Sequence, residues 1–341
     1  MPSYSAHERT QRLQTTYSVT GTTLAPVHIG DGNVLNRDVE FVSDGKNIHV
    51  INAIAAFDKK SREGVALPDF DTGFRLSSVL DESEYAEYAR EFGYSLDLEH
   101  HPQYLRASIK TPDHKLYVPG SSLKGALRTA FMNGIILHKK NLRKPPDLQQ
   151  WFKDLVEPIT FPHPKKRKEV PRNNPAEYME RRVFRADTER DAEGREHPAI
   201  HKDLLRHIVV RDSSAHPISG IKVELYSAKS GELERLSSKL DLTYEALAAN
   251  TTFATELVWQ QRQLDLPKFM SRTPEQKDLA NWLRENSEVM KFDPFLSYCR
   301  AGVEELLEQE LNFYTEFDKV SKLVPVRRFY ESLQAKCKTL V

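Results

Sequence analysis

The chain has 341 residues, with 49 basic and 49 acidic side chains and two cysteines, Cys299 and Cys337. That length suggests two domains, or one with large insertions, and balanced charge excludes a whole-surface nucleic-acid binder while permitting a local basic patch. Two cysteines exclude a disulfide framework and a four-cysteine zinc site, and fit a reducing cytosol.

No apolar run is long enough to span a membrane. The segment MPSYSAHERTQRLQTT lacks an apolar signal core, so a soluble, cytoplasmic protein is expected. Val19, Leu24 and Val27 mark a first strand over residues 17–29, followed by a turn cluster at 30–33. In VEFVSDGKNIHVIN, Val39, Phe41, Ile48 and Val50 alternate around Asp44-Gly45, which predicts a hairpin. Short helices are expected near 77–80 and 83–91, a strand at 116–118 and a helix over 121–139.

The middle, 145–198, is rich in loops, with helices predicted at 147–156 and 175–183. Within it, PKKRK reads as a solvated basic loop. A strand is expected over 205–213 and another over 221–227, and 242–247 is expected to pair with 252–259. Helices follow over 274–289, 294–317 and 325–338. The predicted organisation is an N-terminal ferredoxin-like domain (1–145), a loop-rich helical insertion (146–200) and a degenerate ferredoxin-like half with C-terminal helices (201–341). The fold class is α+β, modified ferredoxin-like.

The most telling stretch is VPGSSLKGALRTAF, residues 118–131. A short strand end meets Pro119-Gly120, and Ser121 or Ser122 is placed to cap the helix that opens there. Leu123, Leu127, Ala130, Phe131 and Gly134 recur at helical spacing, while Lys124 and Arg128 share one face, four residues apart. The first amides of a helix are unpartnered and partly positive, so two cations in its first turns predict an anion cradle. Gly125 would let a sugar-phosphate chain approach closely. Neither the phosphate-loop nor the dinucleotide glycine pattern is present.

VPGSSLKGALRTA resembles the signature that opens the main helix of RAMP superfamily proteins, the RNA-binding subunits of type III CRISPR effector complexes. TLAPVHIGDG is similar to that superfamily's first strand and exit turn, and VFRAD with LRHIVVRDS to its strand ending in Asp-Ser. Within the superfamily, the hairpin, the length and the helical C-terminal region look most like the fifth subunit of the type III-A Csm complex. The resemblance implies an RRM-like fold packed on a neighbouring backbone subunit of that complex. It implies that the chain holds the 3′ side of the CRISPR RNA and caps the filament. It also implies support for maturation of the RNA's 3′ end, with host trimming nucleases as further partners. Carried over, Gly120, Ser121, Ser122, Lys124, Gly125 and Arg128 approach the RNA backbone, with His28, Gly30, Arg211 and Ser213 nearby. In one departure, Gly302 is the last glycine, so the family's glycine-rich terminal loop has no counterpart.

Backbone subunits of such complexes cut target RNA with an aspartate after the first strand, and Asp31 and Asp38 fall in the corresponding region. A carboxylate there could bind a divalent metal. A turn role for Asp31 and a strand-edge role for Asp38 are the preferred readings. His100-His101 and His197 with His201 are the conspicuous histidines for a metal-free ribonuclease, but Pro198 breaks the second pair's helical spacing and no glutamate completes an HExxH motif. A non-catalytic RNA-binding subunit without cofactor or metal is therefore expected, with a RAMP-type endoribonuclease that slices target RNA or processes CRISPR RNA as the alternative.

Overall fold

The computed structural model describes residues 14–65, 75–99, 101–136, 184, 188–190, 196–198, 203–229, 232–260, 287–316, 320 and 323–339. The helices predicted at 147–156 and 175–183 lie outside them, as do His100, His201 and PKKRK.

Strand β1 (Gln14–Thr22) is the predicted first strand, ending earlier than expected. β2 (Gly30–Asn36) absorbs the turn cluster as an irregularity in its pairing between Gly30 and Val34, with Gly32 at φ +93°. β3 (Phe41–Ser43) and β4 (Asn47–Ile51) form the predicted hairpin, in register Phe41 to Val50 and Ser43 to Ile48. Gly45 supplies its turn at φ +87°.

Helix α1 (Ala53–Arg62) was not foreseen. Asn52 caps it by accepting from the Ala55 N–H at 3.2 Å, and Lys59, Lys60 and Arg62 complement the dipole of its last turn. Helix α2 (Tyr85–Phe92) follows a capping box in which the Glu84 side chain accepts from the Asp81 N–H at 3.0 Å. β5 (Gly93–Asp97) joins the hairpin as the third strand of its sheet.

β6 (Tyr104–Ser108) precedes helix α3 (Gly120–Ile136). A short hairpin, β7 (Thr188–Arg190) with β8 (Glu196–Pro198), comes next. The strand expected over 205–213 is a 3-10 turn, Leu204–His207, leading into β9 (Ile208–Val210). The chain ends in β10 (Ser219–Lys229), β11 (Glu232–Ala246), β12 (Thr252–Gln260), α4 (Phe292–Glu316) and α5 (Val324–Thr339).

The larger sheets draw strands from both ends of the chain. One has the order β1-β12-β9, the other β10-β11-β6-β2, with β11 parallel to β6. The predicted pairing of 242–247 with 252–259 is corrected: β11 pairs with β10 and β6, and β12 with β1 and β9. This mixed α+β architecture agrees with the expected class.

Helices α3 and α4 cross over the first sheet and enclose the main core of Phe131, Ile135, Ile208, Trp259 and Phe295. The Phe131 and Phe295 rings stack at 4.6 Å. Two glycines set the closeness of that crossing. A Cβ at Gly134 would overlap the Tyr298 carbonyl, and one at Gly302 the Ala130 carbonyl. Gly302, the last glycine of the chain, is therefore a helix-packing residue.

Candidate nucleic-acid interface

The approach to α3 is locked to the exit of β9. The Val118 N–H donates to Ser213 Oγ at 2.8 Å, and the Ser213 N–H donates back to the Val118 carbonyl at 3.0 Å. The Gly120 N–H donates to Asp212 Oδ1 at 2.8 Å. A Cβ at Gly120 would overlap the Val210 carbonyl, so only glycine lets the two backbones touch there. Asp212 is therefore the cap of α3, in place of Ser121 or Ser122. Both serines lie in the first turn with exposed side chains. A carboxylate already sits at the helix tip and offsets part of its positive charge.

Lys124 and Arg128, paired by sequence spacing, part company in the fold. Arg128 is buried and donates from Nη2 to Asp203 Oδ2 at 2.5 Å. Its guanidinium lies 4.8 Å from the centre of the Phe184 ring. The spacing led to the expectation of a second cation facing a phosphate; here the buried guanidinium is turned toward a carboxylate of its own chain, which offsets part of the cost of its burial. Lys124 stays half-buried, with no ion pair among the described residues. Burial lowers its pKa, the nearby Asp203 charge opposes that shift, and Arg128 adds to it. Beside it, Gly125 is exposed, with open space where a Cβ would be. Ser121, Ser122, Lys124 and Gly125 thus form one small polar surface over the first turns of α3.

Arg211 lies at the same joint, exposed, with Nε 3.0 Å from Glu256 Oε2. Ser213 is committed through Oγ, which also donates to the Ser214 carbonyl at 2.8 Å.

The contacts of His28 and Gly30 lie away from the joint, at Ser108, Tyr244 and Glu245, although their neighbours pack toward it. Val27 and Ile29 pack in one cluster with Leu123 of the first turn of α3. His28 itself meets a polar network that sequence reasoning missed. Its Nδ1 lies 2.8 Å from the Glu245 carbonyl and 2.8 Å from Ser108 Oγ. The carbonyl can only accept, so Nδ1 carries a hydrogen toward it, and Nε2 is the ring nitrogen left outside this network. A Cβ at Gly30 would stand 3.1 Å from that Nε2, so the glycine keeps it accessible.

Beneath lies Glu245, wholly buried. Its Oε2 accepts from Lys110 Nζ at 2.6 Å and the Ser108 N–H at 2.8 Å, and its Oε1 from the Tyr94 hydroxyl. Burial first, and then the Glu245 charge, push the Tyr94 pKa far up, so the phenol stays protonated and donates. No spacing in the sequence links these residues, because they come from separate strands.

Asp31 accepts from the Asn33 N–H at 2.8 Å and the Asn33 side-chain amide at 3.1 Å, as a turn residue does. Asp38 has φ +63° and bonds through its backbone to Phe41 and Leu76. Among the described residues, no group of three or more His, Cys, Asp or Glu side chains could hold a metal ion. No described helix is long and apolar enough to cross a membrane.

The RAMP superfamily sequence pattern matches residues 20–317, which includes both halves of the α3–β9 joint. The chain belongs to the RAMP superfamily. No curated protein sequence matches this RAMP chain. Its fold is similar to the crystal structure of T. onnurineus Csm5, with a TM-score of 0.60 and 21% identity over 92% of this chain and 86% of that one. It is also similar to a chain in the cryo-EM structure of a Csm-crRNA-target RNA ternary complex of a type III-A CRISPR-Cas system. That TM-score is 0.57, with 21% identity over 92% of this chain and 81% of the other.

Proposed function

We propose that this RAMP protein is a non-catalytic RNA-binding subunit of a cytoplasmic type III-A Csm effector complex, in the place that Csm5 takes. In this reading it holds the 3′ side of the CRISPR RNA, caps the filament against the neighbouring backbone RAMP subunit and supports 3′-end maturation by trimming nucleases. In the same reading, residues 1–145 and 201–341 act as two ferredoxin-like halves that share the two larger sheets, with 146–200 as the insertion between them.

One observation carries the reading. The first turns of α3 combine exposed Ser121 and Ser122, an open Gly125 and a lysine without an ion pair among the described residues, on a joint fixed by Asp212 and Ser213. Small side chains, a free cation and hydroxyl donors on a rigid support suit a sugar-phosphate backbone, which is bound without regard to base. The likeness to a fold found in a CRISPR RNA complex supports the same conclusion.

The test is reconstitution of the Csm complex with Lys124→Ala. CRISPR RNA capture should weaken alike for unrelated guides, and the salt dependence should become shallower by about one unit for one lost phosphate contact. Unchanged RNA content would refute the assignment. Asp31→Ala should leave magnesium-dependent cleavage by the complex intact, and its loss would establish the endoribonuclease alternative.

A further inference from the structure

At its β6–β2 end, the sheet β10-β11-β6-β2 has one buried face and one open face. Leu105 and Ala107 of β6 point into the core, while Tyr104 and Arg106 point out, with Tyr104 62% exposed. Register places Val34 of β2, 42% exposed, opposite Arg106 on one side and Tyr244 of β11 opposite it on the other. The Arg106 guanidinium lies 5.8 Å from the centre of the Tyr244 ring, and the His28 ring meets the same tyrosine edge-on at 4.8 Å. Ile221 of β10 continues the row beside Tyr244.

The charge on this face has one sign at its centre. Glu224, Asp241 and Glu245 alternate onto the opposite face, where Lys222 and Lys110 engage them. Arg106 has no carboxylate partner among the described residues, although Lys110, Lys222, Arg128 and Arg211 all have one. An exposed tyrosine, a guanidinium within cation–π range of a second tyrosine and no central acid suit a ligand that is flat, aromatic and negatively charged.

We propose that this face is a stacking platform for unpaired nucleotides of single-stranded RNA, with Tyr104 and the Arg106–Tyr244 pair as its two shelves. It rests on the reading of the chain as an RNA-binding subunit and adds a second contact surface apart from the tip of α3. Stacking on aromatic rings and guanidinium planes tolerates any base, because every base has a π-face. A duplex keeps its bases stacked within itself and gains nothing there.

The experiment uses the full chain, alone and in the reconstituted Csm complex, with labelled oligouridylate and a duplex RNA as probes. Tyr104→Ala and Arg106→Ala should each weaken oligouridylate binding by roughly 5- to 150-fold, while Tyr104→Phe stays within about twofold of wild type. Arg106→Lys, which keeps the charge but loses the plane, should fall between wild type and Arg106→Ala. Duplex binding should not change, and thermal melts check that each variant is folded. If Tyr104→Ala binds as wild type while Lys124→Ala is weakened, the platform falls and the RNA-subunit reading stands. If neither the wild-type chain nor the complex captures single-stranded RNA, both fall. If Tyr104→Ala binds RNA normally but fails to join the complex, the face is a protein interface and the proposal is overturned.

Discussion

Gly134 of α3 lies directly against the carbonyl of Tyr298 in α4, with no room between them for a methyl group. Gly302 meets Ala130 in the same way, one turn further along α4. These contacts bring the two helices together over the Phe131–Phe295 stack. Gly134→Ala should cost about 1–3 kcal/mol despite its better helix propensity, since overpacking outweighs the propensity gain of about 1 kcal/mol. Gly125→Ala, in open space, should stabilise the fold slightly. Urea denaturation of the two variants side by side tests the contrast.

Arg128 and Asp203 are a buried pair, so removing either partner breaks an ion pair that is shielded from water. Arg128→Ala or Asp203→Ala should each destabilise by about 3–5 kcal/mol, whereas an apolar replacement of both should come closer to neutral. RNA binding separates Arg128 from Lys124. Under conditions where both variants remain folded, Lys124→Ala should make the salt slope shallower and Arg128→Ala should not. A shallower slope for both would show that Arg128 also reaches phosphate.

The turn of the β3–β4 hairpin should make stability depend on acid. Asp44 Oδ2 lies 3.1 Å from His49 Nε2, and Asp44 Oδ1 accepts from the N–H groups of Lys46 and Asn47. Burial alone would raise the Asp44 pKa, but these bonds outweigh it and hold the carboxyl well below the usual carboxylate range. A folded-state pKa below the unfolded one gives stability that is present above the unfolded value, about 4, and lost as the pH falls through the folded value. Urea midpoints should therefore decline below about pH 4, and Asp44→Asn should reduce that decline. An identical acid profile for wild type and variant would refute the assignment.

The two cysteines should react at different rates. Cys299 is buried in the α3–α4 contact, where burial pushes its thiol up to about 12. Cys337 on α5 is half-exposed. Since the thiolate is the nucleophile, a maleimide at neutral pH should label Cys337 first and reach Cys299 only on unfolding. Mass spectrometry of the singly labelled protein decides it.

Elements set by local pattern were legible in the sequence. The hairpin followed from alternation around Asp44-Gly45, and α3 from its apolar spacing. Contacts between distant segments were not legible. Asp212 caps α3 from 92 residues away, and Asp203 turns Arg128 inward from 75 residues away. Spacing placed Lys124 and Arg128 on one helix face but could not say what that face would meet. Helix α1 was missed because AIAAFDKKSR is short and gains its order from the Asn52 cap and from Ala56 and Phe57 packing under it. Tyr104 and Arg106 looked ordinary until β11 supplied Tyr244 beside them.

The pairing of β1 with β12 sets a timetable for the molecule's birth. Gln14 aligns with Gln260, so β1 has no partner until well over two hundred further residues have been made. Until then its backbone donors and acceptors stay open to any other nascent strand, and contacts so far apart in sequence form slowly. A stall in translation upstream of β12 would thus leave a chain whose hairpin and α2 can assemble while its opening strand stays unmatched and prone to clump.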